Sequence, residues 1–255
     1  MLKLGLTPIL IGGASLAARR WGPSVGGWLV ALPLTSGPVA FFLAVDVGTD
    51  FASRVVVGSL GGLAAIAAFC LVYALTARGG PARAVAAGSV AFAVVGIAIQ
   101  PLVGSSVWAV LAVVIASVGA VFVVLPATSR GQVHVEYPWW DIPARMIVAT
   151  ALVVGLTELA PALGPAVSGV VATFPVYLSV LAIFAHVRLG PGAAIAVLRG
   201  LLAGLFGTAA FFVVVHLGLV PLGVVPAFAG ATGAALAIQA VALRTLRPPA
   251  RAEPT

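Results

Sequence analysis

Apolar residues run along this chain in blocks of roughly 20, the length of α-helix that crosses a hydrocarbon core. Nine blocks are predicted as helical spans, near 3–19, 24–46, 53–77, 83–101, 104–126, 144–162, 166–187, 193–217 and 223–243. Turns divide them at Gly22-Pro23, Gly48-Thr49-Asp50, Gly79-Gly80-Pro81, Gly164-Pro165 and Gly190-Pro191-Gly192. Glycine frees the backbone at such joints and proline stops a helix from running on. The fourth and fifth spans are parted only by Gln100-Pro101 and Gly104-Ser105-Ser106. A membrane barrel would alternate apolar and polar residues, and these blocks do not. The expected fold is all-α, a polytopic integral membrane protein.

Sliding the chain on itself by 142 residues aligns its two parts without a gap. Gly22, Pro23, Val25, Gly27, Pro33, Ala40, Phe42, Val45 and Gly48 meet Gly164, Pro165, Val167, Gly169, Pro175, Ala182, Phe184, Val187 and Gly190. The match continues from Ala52 on Ala194 to Leu75 on Leu217, giving 20 identities over the 54 positions from 22 to 75. Shared prolines and glycines carry the most weight, because they encode backbone geometry. Equivalent positions are five spans apart, an odd number, so the two halves are expected upside down relative to each other. The domain layout follows: 1–127 a first repeat of five helices, 128–143 a cytoplasmic interfacial loop, 144–243 a second repeat of four, and 244–255 a disordered cytoplasmic tail.

Composition tightens the class. The 255 residues are 62% hydrophobic and 7% charged, too little charge to cover a soluble surface. The net charge of +7 raises a nucleic-acid partner, but the arginines stand singly or in pairs with no aromatic-interleaved patch, which excludes it. Topology accounts for them. One side of a nine-span layout collects Arg19, Arg20, Arg78, Arg83, Arg130, Arg145, Arg188, Arg199, Arg244, Arg247 and Arg251, and the other keeps only Lys3 and Arg54. The positive-inside rule then puts the N-terminus outside and the C-terminus in the cytoplasm. The first 20 residues resemble a signal peptide but belong to the repeated unit, so they are read as a span. The lone Cys70 allows no intramolecular disulfide and reads as a small core residue. Tyr137, Pro138, Trp139 and Trp140 suit a headgroup-level belt.

The sharpest local chemistry is an interrupted helix in each half. The first carries Pro33, Thr35, Ser36 and Gly37; the second carries Thr173, Pro175, Tyr177 and Ser179. A mid-helix proline removes a backbone bond, and in lipid the freed carbonyls need a partner or a water-lined cavity. Such breaks bind substrates or ions in transporters; the competing reading is a plain kink with hydroxyls bonded back to the helix. Glu158 and Arg199 are charges inside spans and therefore candidate site residues, with Arg199 also placed to snorkel. Asp46, Asp50, Arg54 and Arg188 are candidate gate or recruiting charges. His186 and His216 read as interfacial histidines, and Gln100 and Gln239 as helix-pairing residues. No hydrolytic, metal or phosphate-binding signature is seen, so no enzyme, cofactor or metal is expected.

The stretch Gly169–Gly190, with Phe174-Pro175 and Ala185-His186, resembles the GlpM-like family of small bacterial inner-membrane proteins. Gly27–Gly48 keeps the proline but has Leu32 and Ala44 at the aromatic and histidine positions. The resemblance implies a bacterial inner membrane location with one family unit per half, and no substrate. The sequence as a whole points to a small secondary transporter or permease, working by alternating access, with its site between the interrupted spans. The alternative is a non-transporting accessory subunit that binds a partner protein or lipid. Expected partners are membrane lipid and a small-molecule or ion substrate, with a second copy of the chain left open.

Overall fold

The computed structural model describes residues 2–33, 37, 40–41, 44–45, 48–103, 106–126, 139–159 and 174–246. Every regular element among them is helical. In chain order these are α1 (Leu2–Trp21), α2 (Pro23–Val30), α3 (Thr49–Thr76), α4 (Pro81–Ala98), the short α5 (Gln100–Val103), α6 (Val107–Val124), α7 (Asp141–Leu159), α8 (Val176–Leu189), α9 (Pro191–Leu222) and α10 (Val224–Leu246). Five stretches are long and apolar enough to cross a membrane: Ala52–Gly79, Pro81–Leu102, Val107–Val124, Pro191–Leu222 and Val224–Leu243. The chain therefore reads as membrane-embedded. Its outer surface agrees, since Val90, Val94, Ile97, Val123, Val220, Val225 and Val241 are exposed apolar side chains on those helices, a surface that lipid covers and water does not.

The joints follow the sequence closely. Gly48, Gly80, Gly190 and Gly223 hold φ of 119°, 96°, 84° and 79°, a region that side chains rarely enter, and each starts a new helix. Pro81 and Pro191 take the first helical position, where their missing N–H costs nothing. The fourth and fifth blocks are indeed separate helices: Ser106 caps α6 by accepting from Trp108 N at 3.3 Å. Several edges move. The second block is not one helix, because α2 stops at Val30. The seventh gives α8, which starts only after Pro175. The last three residues of the expected interfacial loop already belong to α7, and α10 runs to Leu246, past the expected start of the tail.

Burial ranks the helices. In the span windows of α3 and α9, 61% and 56% of residues are buried, against 28%, 22% and 28% for α4, α6 and α10, so α3 and α9 form the centre. They pack on each other and run antiparallel. Ser53, near the start of α3, meets His216, near the end of α9, with Oγ and Nδ1 2.7 Å apart. Tyr73, near the end of α3, meets His186 with OH and Nδ1 3.1 Å apart, one helical turn before Gly190 opens α9. The flanking helices repeat a pattern. α4 buries Ala84, Gly88, Phe92 and Gly96, and α10 buries Ala227, Ala231, Ala235 and Gln239, each 143 positions later. Both stripes have a four-residue step, which keeps one face of a helix inward.

Close backbone approach fixes α2 on α9. A Cβ on Gly27 would strike the carbonyl of Val197, and one on Gly200 would strike the carbonyl of Ser24. Small residues let helices come this near in lipid, where dispersion contacts replace a hydrophobic driving force. α1 packs on α2 and α7, and α8 lies along α9.

Candidate functional site

The two prolines sit at helix ends, as their chemistry requires. α2 closes with Ala31, and Leu32 and Pro33 follow outside it. The carbonyl of Ala31 is not left bare: Thr208 of α9 donates its hydroxyl to it. That bond answers the need for a partner for carbonyls freed in an apolar setting. Beyond each proline the backbone does the same thing. Gly37 N donates to Pro33 O at 2.9 Å, and Ser179 N donates to Pro175 O at 2.9 Å. Gly37 and Ser179 are equivalent under the 142-residue shift. Ser179 also donates its hydroxyl to Pro175 O at 2.9 Å, the bonded-back arrangement named above as the competing reading. Phe174, just ahead of Pro175, is wedged edge-on between Phe69 of α3 (6.2 Å between centroids) and Phe92 of α4 (5.5 Å).

A cavity of about 390 Å³ lies where the two breaks approach α1. Gly13, Leu16, Arg20 and Trp21 of α1 line one wall, and Leu32 and Tyr177 bring in the two interrupted segments. The volume is in the range of small-molecule sites. Its wall is nearly all apolar, with a phenol and a guanidinium as the main polar groups.

The second constellation gathers charge. Asp141, the first residue of α7, is fully buried. Arg19 reaches its Oδ2 at 2.8 Å from the end of α1, Arg145 reaches it at 3.0 Å from the next turn of α7, and Arg188 approaches Oδ1 at 3.6 Å from the end of α8. The flat faces of these cations are used too: Arg188 lies over Trp140 at 4.7 Å and Arg145 over Phe184 at 4.9 Å. Arginines at the ends of α1 and α8 also suit the negative ends of those helices. The cluster thus ties together the end of α1, the start of α7 and the end of α8. The Tyr73–His186 bond adds the end of α3 to the same face.

Arg199 lies two turns into α9 and donates to Phe122 O at 2.7 Å and to Leu125 O, with its guanidinium 4.2 Å over the Phe122 ring. It braces the end of α6, where backbone carbonyls have no helical partner. Asp50 and Arg54 are exposed on the first turns of α3, away from the arginine face. Thr35, Ser36, Asp46 and Thr173 lie outside the described residues, as does the side chain of Glu158 on α7. Of the residues singled out from sequence, the structure brings Tyr177 to the cavity beside the Pro33 break and Arg188 to Asp141. Sequence reasoning missed Asp141, Thr208 and Tyr73. Asp141 sat in what read as a loop, and only its four-residue spacing to Arg145 hinted at a pair. Thr208 and Tyr73 act across 177 and 113 positions, where no local pattern signals them. Comparison with family models, with curated proteins and with solved structures finds no match for this chain.

Proposed function

We propose that this chain is a small secondary transporter of an amphipathic molecule, built from two inverted repeats and working by alternating access around the cavity at Leu32 and Tyr177. The observation that carries the reading is the antiparallel packing of α3 on α9, whose residues correspond by the 142-residue shift. Inverted repeats meeting at broken helices are the recurring plan of such proteins, with the site at the repeat interface. Support comes from the matched turn glycines Gly48 and Gly190 and from the paired buried stripes of α4 and α10. The same reading has nine spans in a bacterial inner membrane, with the arginine face in the cytoplasm, the N-terminus outside and the C-terminus inside. The apolar wall suits the body of the substrate, and Arg20 at the rim suits an anionic head. Glu158 is the proposed coupling carboxylate.

A lipid-binding accessory subunit is the second reading. It is favoured by the exposure of Ile9, Leu16 and Trp21 at the cavity wall, where an acyl chain with its head near Arg20 fits equally well. Accessibility separates the two. Cys70 is the one cysteine and is buried, so Cys70→Ser gives a background without thiols. In that background Leu32→Cys, in vesicles of defined orientation, is treated with an impermeant maleimide. Alternating access predicts labelling from each side in turn. Labelling from one side or from neither, in all conditions, favours the accessory subunit and sinks the transporter.

A further inference from the structure

The face that α1 turns to the large cavity is a trough. Ile9, Gly13, Leu16, Ala17 and Arg20 recur along it at helical spacing, so one side of the helix borders the space from Ile9 to Arg20. Gly13 is its floor: it is exposed, and a Cβ built on it would meet nothing within 4 Å among the described residues. From Ile9 to Arg20 is eleven residues, about 16 Å at the rise of an α-helix, and half of a hydrocarbon core is about 15 Å. The trough is therefore about as deep as one leaflet. Ile9, Leu16 and Trp21 on its wall are all more than half exposed, so it is open sideways to lipid.

Its two ends differ in chemistry. Away from Arg20 and Trp21, the described wall is aliphatic except for the Tyr177 phenol across the cavity. The mouth carries Arg20 and Trp21, directly before the turn at Gly22, and a tryptophan there suits headgroup depth. The adjacent Arg19 is tied to Asp141, whereas Arg20 is exposed and makes no hydrogen bond or ion pair among the described residues. A polar solute finds little to bond along this wall, and a neutral chain leaves the guanidinium unused. The shape fits a chain of leaflet length that ends in one negative charge. A carboxylate meets a guanidinium through two parallel bonds and matches its single charge. A phosphate monoester brings nearly two negative charges to one uncommitted arginine.

We propose that the cavity takes one long-chain carboxylate of the fatty-acid class, drawn sideways from the leaflet on the arginine face, with its tail along α1 toward Ile9 and its head on Arg20. This names the substrate class of the transport site. That the molecule is carried across rests on the transporter reading above, whereas its binding does not.

The test uses the purified full-length protein in discs of zwitterionic lipid. A photoreactive palmitate carries its diazirine either beside the carboxylate or at the tail end, and adducts are mapped by mass spectrometry. The first probe labels α1 near Leu16 and Trp21, and the second labels it near Ile9. Free palmitate displaces both, and its methyl ester does not. Arg20→Gln weakens binding roughly ten-fold or more. Gly13→Leu places a side chain in open space and shuts out the tail-end probe, a readout that does not depend on Arg20. Labelling of α4, α6 and α10 as strong as that of α1, or equal competition by the methyl ester, means bulk lipid contact and overturns the proposal. Displacement by phosphatidylglycerol but not by palmitate gives the trough to a two-chain lipid and overturns it too. Absence of adducts on α1, with a dimer that Gly13→Leu breaks, gives it to a second copy and has the same consequence. The sided labelling of Leu32→Cys separates this claim from the transporter reading. Mapped binding without alternating labelling leaves the carboxylate site standing and sinks transport. Alternating labelling without binding keeps the transporter and sinks the carboxylate.

Discussion

Pro33 and Pro175 stand 142 positions apart and make the same backbone bond, each accepting from the amide four residues on, yet the surroundings of the two breaks differ. At the first, α9 comes to the rescue: Thr208 serves Ala31 O, and Gly27 and Gly200 hold α2 against α9 so closely that neither can carry a side chain. At the second, the helix serves itself through Ser179, and the chain is anchored by Phe174 between α3 and α4. One break is fastened by long-range polar and backbone contact, the other by a local hydroxyl and an aromatic wedge. Equivalent positions in a chain do not imply equivalent reliance on them.

The largest effect is expected at the clamp of the first break. Gly200→Val drives a side chain into the Ser24 carbonyl, which cannot yield as a flexible side chain does. A loss of about 3 kcal/mol or more is expected, seen as little folded protein and a collapsed unfolding midpoint in mild detergent. Normal stability in this variant would break the claim that α2 is held by backbone approach. Next comes the wedge of the second break. Phe174→Ala loses two edge-on ring contacts and much of a ring's packing, at a cost of about 3 kcal/mol, since Phe174 is only partly buried. With Phe69→Ala already present its effect is expected to fall by about 1 kcal/mol, the worth of one ring pair, while the contact with Phe92 keeps the rest, in a double-mutant comparison of unfolding free energies.

Two smaller changes sharpen the contrast in hydroxyls. Thr208→Val keeps the shape and removes the donor to Ala31 O. Interhelical hydrogen bonds in membranes average about 0.6 kcal/mol, but a buried helix-end carbonyl left without a donor costs about 1–3 kcal/mol. The expected loss is therefore about 1–2 kcal/mol by reversible unfolding. Ser179→Ala is expected to cost about 0.5 kcal/mol or less, because Ser179 N still serves Pro175 O. If the two substitutions cost the same, the distinction between a rescued break and a self-satisfied one falls.

Much of this architecture was legible in the sequence, and the legible part has one physical character. Helix joints at Gly48, Gly80 and Gly190 are written locally, as glycine next to proline or a small polar residue. The face on which Arg19, Arg145 and Arg188 gather follows from counting alternate loops. The broken helices were marked by Pro33 and Pro175 themselves. What escaped was every contact made at a distance. Arg199 read as a charge inside a span, a candidate site residue also placed to snorkel, and its contact with the carbonyls at the end of α6 had no local sign. Asp141 fell within the expected interfacial loop 128–143 and is the buried centre of three arginines. A proline imposes its geometry wherever it stands, whereas the meaning of a carboxylate depends on what the fold brings to it.

The joints at Gly80 and Gly223 have a bearing on how such a chain can change over time. Gly48 and Gly190 are 142 positions apart, but Gly80 and Gly223 are 143 apart, so the stretch between Gly190 and Gly223 carries one residue more than the stretch between Gly48 and Gly80. In an unbroken helix one added residue swings everything after it by about 100° and would turn the inward stripe of α10 toward lipid. That stripe keeps its place because the count restarts at the glycine. A joint with a freely chosen backbone angle works as a clutch, disengaging the rotation of one helix from the next. Single-residue insertions and deletions inside a span are thereby tolerable, while each helix still presents its own face.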